Sequence, residues 1–249
     1  MKNILNFPGW ISEERTDFYK KELNPSFWKN GEFDQDIREK LLKIARDFYS
    51  ALKIDVEIKD IQLTGSLANY NWTDKSDLDV HVLIDFNDID DNVDLVKKAL
   101  DGMRFMWNLR HKIVLRGYDV ELYIQDIKEP HIASGLYSLL NNQWLRTPKY
   151  NPPDIDYNDV DKKYLGLVSE INEVENLINS SNFSEASEEE LYQYALRIKK
   201  KILDMRKQGL AREGEFSVEN LVFKKLRSDG YIEKIIEMIS KAYINIYNE

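Results

Sequence analysis

A chain of 249 residues with no cysteine, 43% hydrophobic and 32% charged, is long enough for one large domain or two small ones, and it excludes disulfides, zinc–thiolate sites and a cysteine nucleophile. Its net charge of −9 argues against a generally basic nucleic-acid-binding surface. Residues 1–8 lack the apolar run of a signal peptide and no later stretch is apolar enough to span a bilayer, so the cytoplasm is the expected compartment.

Residues 1–33 carry Trp10, Phe18, Tyr19, Phe27 and Trp28, which predicts an N-terminal extension packed on the domain that follows. From Asp34, a residue suited to cap a helix, Ile37, Leu41, Ile44, Ala45, Phe48 and Leu52 recur at helical spacing. A strand is expected over 58–64, a polar loop over 67–75, and a second strand over 77–84. A helix over 93–109 would put Val93, Val96, Leu100, Met103 and Trp107 on one stripe. Strands at 112–115 and 118–125 are joined by Arg116-Gly117, a short hairpin turn, and segments 136–140 and 144–147 around Asn141-Asn142 form a second hairpin.

Pro148, Pro152 and Pro153 then interrupt regular structure, because proline lacks the donor N–H. Helical patterns follow to the end of the chain. One covers 160–178. A second starts at Ser187, whose spacing to Glu190 makes a capping box, and Gly209 is expected to end it. Ser217 caps a third, stopped by Asp229-Gly230, and a fourth covers 231–247. The expected fold class is α+β: a head over 34–150 in α/β order, with a small mixed sheet, and an all-helical C-terminal domain over 151–249.

The chemistry concentrates in Gly65-Ser66 and in the strand that opens with Asp77-Leu78-Asp79. Alternation puts Asp77, Asp79 and His81 on one face of that strand and Leu78, Val80 and Val82 on the other. Two neighbouring carboxylates repel unless a cation lies between them, and hard divalent ions such as Mg²⁺ take such oxygen ligands while keeping positions open for phosphates. Gly65 permits a tight turn and Ser66 offers a hydroxyl and an N–H where a short helix can begin, an arrangement suited to a triphosphate. Lys75 and Ser76 border the same loop as further candidate phosphate contacts, although both also suit a plain solvated strand entry.

Gly65-Ser66, ten intervening residues and Asp77-x-Asp79 within a hydrophobic strand resemble the signature of the DNA polymerase β-type nucleotidyltransferase superfamily. The resemblance covers roughly residues 35–126. With Trp107-Asn108, His111 and the acidic strand Val120–Asp126 it looks most like the predicted nucleotidyltransferases carried by phages, which would place the protein in a host cytoplasm. It implies a third carboxylate on a later, adjacent strand, and Glu121 is favoured over Asp119 because it sits deeper in its strand. It further implies that Asp77, Asp79 and Glu121 hold two Mg²⁺ (or Mn²⁺) ions, that Gly65 and Ser66 hold the β- and γ-phosphates, and that an NMP passes from an NTP such as ATP to an acceptor hydroxyl with release of pyrophosphate. A helical second domain that helps hold nucleotide or acceptor is the superfamily's usual plan.

Other residues leave alternatives open. His81 shares the aspartates' face and suits either a phosphate or a core hydrogen bond. Tyr70 and Trp72 suit base stacking or packing beneath their loop. His111 and His131 read as structural. Ten basic residues between Arg197 and Arg227 face four acids, a local +6 that leaves −15 on the remainder. That asymmetry suits an RNA acceptor such as a tRNA 3′ end, slightly favoured over a protein hydroxyl or an aminoglycoside, and equally a solvated helix face. A non-catalytic nucleotide-binding protein that keeps the fold is the alternative function. A glycosyltransferase is disfavoured because too little chain precedes the acidic pair.

Overall fold

The computed structural model describes residues 19–131, 133–151, 154–179 and 187–247, so Trp10 and Phe18 lie outside the described residues. The chain divides into two compact units, Met1–Pro152 and Pro153–Glu249. The first mixes helices with a small mixed sheet. The second is helical among its described residues.

The first unit opens with a two-stranded ribbon, β1 (Trp28–Lys29) and β2 (Glu32–Phe33), followed by helix α1 (Gln35–Leu52). Asp34 accepts the Ile37 N–H as the cap of α1, and it also pairs with Arg116 at 2.8 Å. Strand β3 (Asp60–Thr64) leads through a single 3₁₀ turn, Ser66–Ala68, and a loop into β4 (Leu78–Ile84). Helix α2 (Val93–Arg110) is followed by β5 (Val114–Leu115) and β6 (Tyr118–Asp126), joined by the positive-φ pair Arg116 and Gly117. β7 (Leu136–Ser138) and β8 (Gln143–Arg146) complete the sheet, whose order is β5-β6-β4-β3-β7-β8. Only β4 and β6 run parallel; the other neighbours are antiparallel.

The sheet has one apolar and one polar face because its strands alternate. Ile61, Leu63, Leu78, Val80, Val82, Leu122 and Ile124 are buried and join the core formed with α1, α2 and the ribbon aromatics Phe27, Trp28 and Phe33. Asn108 of α2 serves the neighbouring strand directly: its amide donates to the Leu122 carbonyl at 3.0 Å and accepts the Leu122 N–H at 3.2 Å, closing β6 where β5 no longer pairs with it. The expected α2 stripe holds at Val96 and Leu100 but not at Met103, which is 40% exposed. Arg104 turns inward instead, its guanidinium 4.7 Å from the Tyr123 ring centroid.

The second unit consists of α3 (Tyr157–Asn179), α4 (Glu188–Glu213), α5 (Val218–Ser228) and α6 (Tyr231–Tyr247). Ser187 and Glu190 form the capping box at α4, and Ser217 caps α5. Gly209 does not end α4, contrary to expectation. It is buried inside the helix, and Gly214, at φ +75°, is the cap. A Cβ at position 209 would lie 2.6 Å from Ser217 Oγ and 2.7 Å from Glu219 Cβ, so this glycine serves a close approach of α5. No helix among the described residues is long and apolar enough to cross a membrane.

Candidate active site

The polar face of the sheet gathers most of the residues singled out from sequence. β4 lies between β3 and β6, so Asp79 pairs with Thr64 on one side and with Glu121 on the other. The next row toward the C-terminal end of β4 is Gln62, His81 and Tyr123. Asp77 lies one residue ahead of β4 and is half-buried. Of the two acids weighed on β6, Glu121 is half-buried beside Asp79, whereas Asp119 is exposed and pairs with Val114 of β5.

Gly65 turns the chain against this row. Its φ of +74° and ψ of −160° belong to a region that only glycine enters without strain. A Cβ there would lie 2.0 Å from Asp79 Oδ2, so the carboxylate fills the space that glycine leaves. The helix expected at Ser66 is a single 3₁₀ turn. Ser66 Oγ donates to Ser76 Oγ at 2.8 Å, and Ser76 Oγ also accepts the Thr73 N–H at 2.9 Å. Ser76 therefore pins the 73–76 turn to the Gly65-Ser66 segment, while Lys75 is exposed at its tip.

Glu121 is engaged by a residue that the sequence reading passed over. The Tyr123 hydroxyl donates to Glu121 Oε2 at 2.5 Å. Burial, reinforced by the nearby Asp79 and Glu121 charges, raises the Tyr123 pKa, so it is a fixed donor. Its ring stacks on His81, centroids 4.6 Å apart, and Arg104 also lies over it. His81 Nδ1 lies 2.6 Å from Gln125 Oε1, and the Gln125 amide nitrogen donates to the Glu129 carbonyl, which orients Oε1 toward the imidazole. Burial lowers the His81 pKa to about 4 against the opposing pull of Gln125, so the ring is neutral near neutrality and Nδ1–H is the donor. This is the core-bonded alternative for His81. Thr64, Tyr123 and Gln125 were legible only as same-face neighbours, at intervals of two, of the residues that drew attention.

The remaining candidates have structural partners. His111 ends α2 and stacks on Trp107 with centroids 3.8 Å apart, and the His131 ring lies 5.4 Å from His81. Trp72 donates to the Glu22 carbonyl and has Lys20 over its ring, and Tyr70 clusters with Tyr19 and Tyr150.

The oxygen donors of Asp77, Asp79 and Glu121 suit a hard divalent cation in kind, and Asp79 lies against the glycine turn. Among the described residues, however, no three His, Asp or Glu side chains form a group that could hold a metal ion. The register pairs Asp79 with Glu121, while Glu121 gives one oxygen to Tyr123. No protein-family model matches this chain, nor does any curated protein or solved structure.

The basic window of the second unit does not form one free surface. Lys201 pairs with Glu170, Arg206 bonds Asn220 and covers Phe223, and Arg212 pairs with Glu213 and Glu219. Arg197, Lys199, Lys200 and Lys207 are exposed on α4.

Proposed function

We propose that this chain is a metal-dependent nucleotidyltransferase that moves an NMP from an NTP to an acceptor hydroxyl. The observation that carries the reading is the row Thr64–Asp79–Glu121 with Gly65 folded onto the Asp79 carboxylate. It joins an acidic pair on neighbouring parallel strands to a turn suited to phosphate. Asp77, Asp79 and Glu121, which do not form a metal-holding group as they stand, would have to draw together to hold the divalent ions, and ions so held would neutralise phosphate charge and lower the pKa of the acceptor hydroxyl.

The chain's own residues supply orientation. Gly65 lets the backbone approach the β- and γ-phosphates, and Ser66, its hydroxyl bound to Ser76, offers its N–H there. The acceptor oxygen attacks the α-phosphorus, the bond from that phosphorus to the pyrophosphate oxygen breaks, and Glu121 takes the hydroxyl proton on Oε1, the oxygen that Tyr123 leaves unengaged. The acceptor we favour is an RNA 3′ end, on the strength of the exposed α4 cations.

Incubation with each NTP radiolabelled at the α-phosphate, Mg²⁺, total RNA and total protein tests the reading. Covalent label on RNA is the expected result. Label on protein would keep the reaction and change the acceptor. The hydrogen bond from Tyr123 to Glu121 favours a second reading, a nucleotide-binding protein that does no chemistry. It predicts nucleotide-induced thermal stabilisation with no label on any acceptor.

A further inference from the structure

α4 and α6 bury one side of each helix and leave an adjoining apolar side open. Leu203 is 46% exposed, Ile236 50%, Tyr243 48% and Tyr247 71%. Leu203 and Ile236 flank a shallow groove that Lys199 and Ile232 also line. At the other end the rings of Tyr192, Tyr243 and Tyr247 form one cluster, with successive centroids 5.4 and 5.2 Å apart. The helices run antiparallel, because Tyr192 meets Tyr243 while Leu203 shares a groove with Ile232. At 3.6 residues per turn, Tyr192, Lys199 and Leu203 fall on one stripe of α4, and Ile236, Tyr243 and Tyr247 on one stripe of α6. A contiguous apolar band along two helices is the kind of surface that proteins use for association.

The rims of the band indicate what covers it. Beyond the α4 stripe the exposed charges are Arg197, Lys200 and Lys207 with Asp204 among them at the groove end, and Glu189 at the tyrosine end; beyond the α6 stripe they are Glu233 and Glu237 at the groove end and Lys241 farther along. Lys200, Lys207, Glu233 and Glu237 make no ion pair with another described residue. Around the groove one edge is thus net basic and the other acidic, which makes that part of the face complementary to itself.

We propose that this face is the interface of a homodimer whose two-fold axis runs parallel to the helices. That axis lays α4 of each copy against α6 of the other and brings each basic rim onto an acidic rim, twice. A perpendicular axis would lay α4 on α4 and oppose like charges. The 17 residues of α6 span about 25 Å. A helix pair of that length covers roughly 500 Å², below the ~800 Å² per partner of a standard interface. The dimer is therefore concentration-dependent.

Sedimentation equilibrium of the full chain, over about two decades of concentration and at low and high salt, tests this. The mass should rise from one chain to two, with weaker association at high salt. Leu203→Asp with Ile236→Asp should hold the chain monomeric. Because two buried-edge charges can also disturb the fold, charge exchange at exposed positions decides independently. Lys200→Glu with Lys207→Glu should weaken the dimer about tenfold or more, and adding Glu233→Lys with Glu237→Lys should restore it. A wild-type chain that stays monomeric throughout overturns the proposal. So does a dimer indifferent to the charge exchange, or one that the fourfold exchange fails to restore.

Discussion

The carboxylate of Asp79 stands where the side chain of residue 65 would begin: Asp79 Oδ2 is 2.0 Å from the position of a Cβ on Gly65. The acid and the turn are built as a unit, and a side chain at position 65 would displace the Asp79 carboxylate. This contact is within one unit of the chain and joins β4 to the turn that leaves β3.

Gly65→Ala should therefore both strain the backbone and displace Asp79. A loss of about 2–4 kcal/mol in stability is expected from the positive φ and the overlap together. In an Asp79→Ala background the same change should cost less, because only the backbone strain remains. A double-mutant cycle by urea denaturation reads the difference, and purely additive losses would contradict the coupling.

If the chain transfers nucleotides, Asp77→Asn and Asp79→Asn should each abolish transfer while the protein stays folded. Removing one of two neighbouring like charges relieves repulsion in the metal-free state, so stability should hold or rise. Glu121→Gln should lower turnover by orders of magnitude, and Asp119→Asn by no more than a few-fold, as befits an exposed residue paired with β5. Turnover at saturating Mg²⁺ measures all four. Activity lost at Asp119 and kept at Glu121 would mean that the reacting groups lie on the exposed end of β6.

Tyr123→Phe isolates the hydrogen bond to Glu121 Oε2, since the ring that stacks on His81 is retained. A freed Glu121 should cut kcat about 10–100-fold with little change in the KM for NTP, the signature of a misoriented ligand or base. A rise confined to KM would instead place Tyr123 in nucleotide binding.

Much of this arrangement is legible in the sequence because it rests on period-two alternation. Asp77, Asp79 and His81 are spaced two apart along one strand, as are Asp119 and Glu121 along another, and a strand allows each set only one shared face. The β5–β6 and β7–β8 hairpins are legible from their turn residues for the same local reason. What alternation cannot supply is partner choice. That Tyr123 reaches Glu121, that Arg104 rather than Met103 turns inward, and that three of the ten basic residues in the window are engaged by Glu170, Asn220 and Glu219 depend on contacts between distant elements. Gly209 reads as a helix terminator by composition. It lies inside α4 because Ser217 and Glu219 come too close to admit a side chain.

Glu219 contributes a pH dependence to the helical unit. From the first turn of α5 it accepts Lys163 of α3 at 2.9 Å and Arg212 of α4 at 3.1 Å, with only 8% of its surface exposed. Burial alone would raise its pKa; the hydrogen bonds and charges of Lys163 and Arg212 outweigh that and hold it below the ordinary glutamate value. A group whose folded pKa is depressed contributes its stability above the unfolded value, near about 4.3, and loses it as pH falls through the folded one. Glu219→Gln should therefore destabilise the protein by about 1–3 kcal/mol near neutral pH, where it leaves Lys163 and Arg212 short of a charged partner. The gap from wild type should close as pH drops below about 4, because protonation then removes the same charge from the native side chain. Urea denaturation at a series of pH values measures both. A gap that stays constant into the acid range would show that Glu219 acts through packing against Gly209 rather than through its charge.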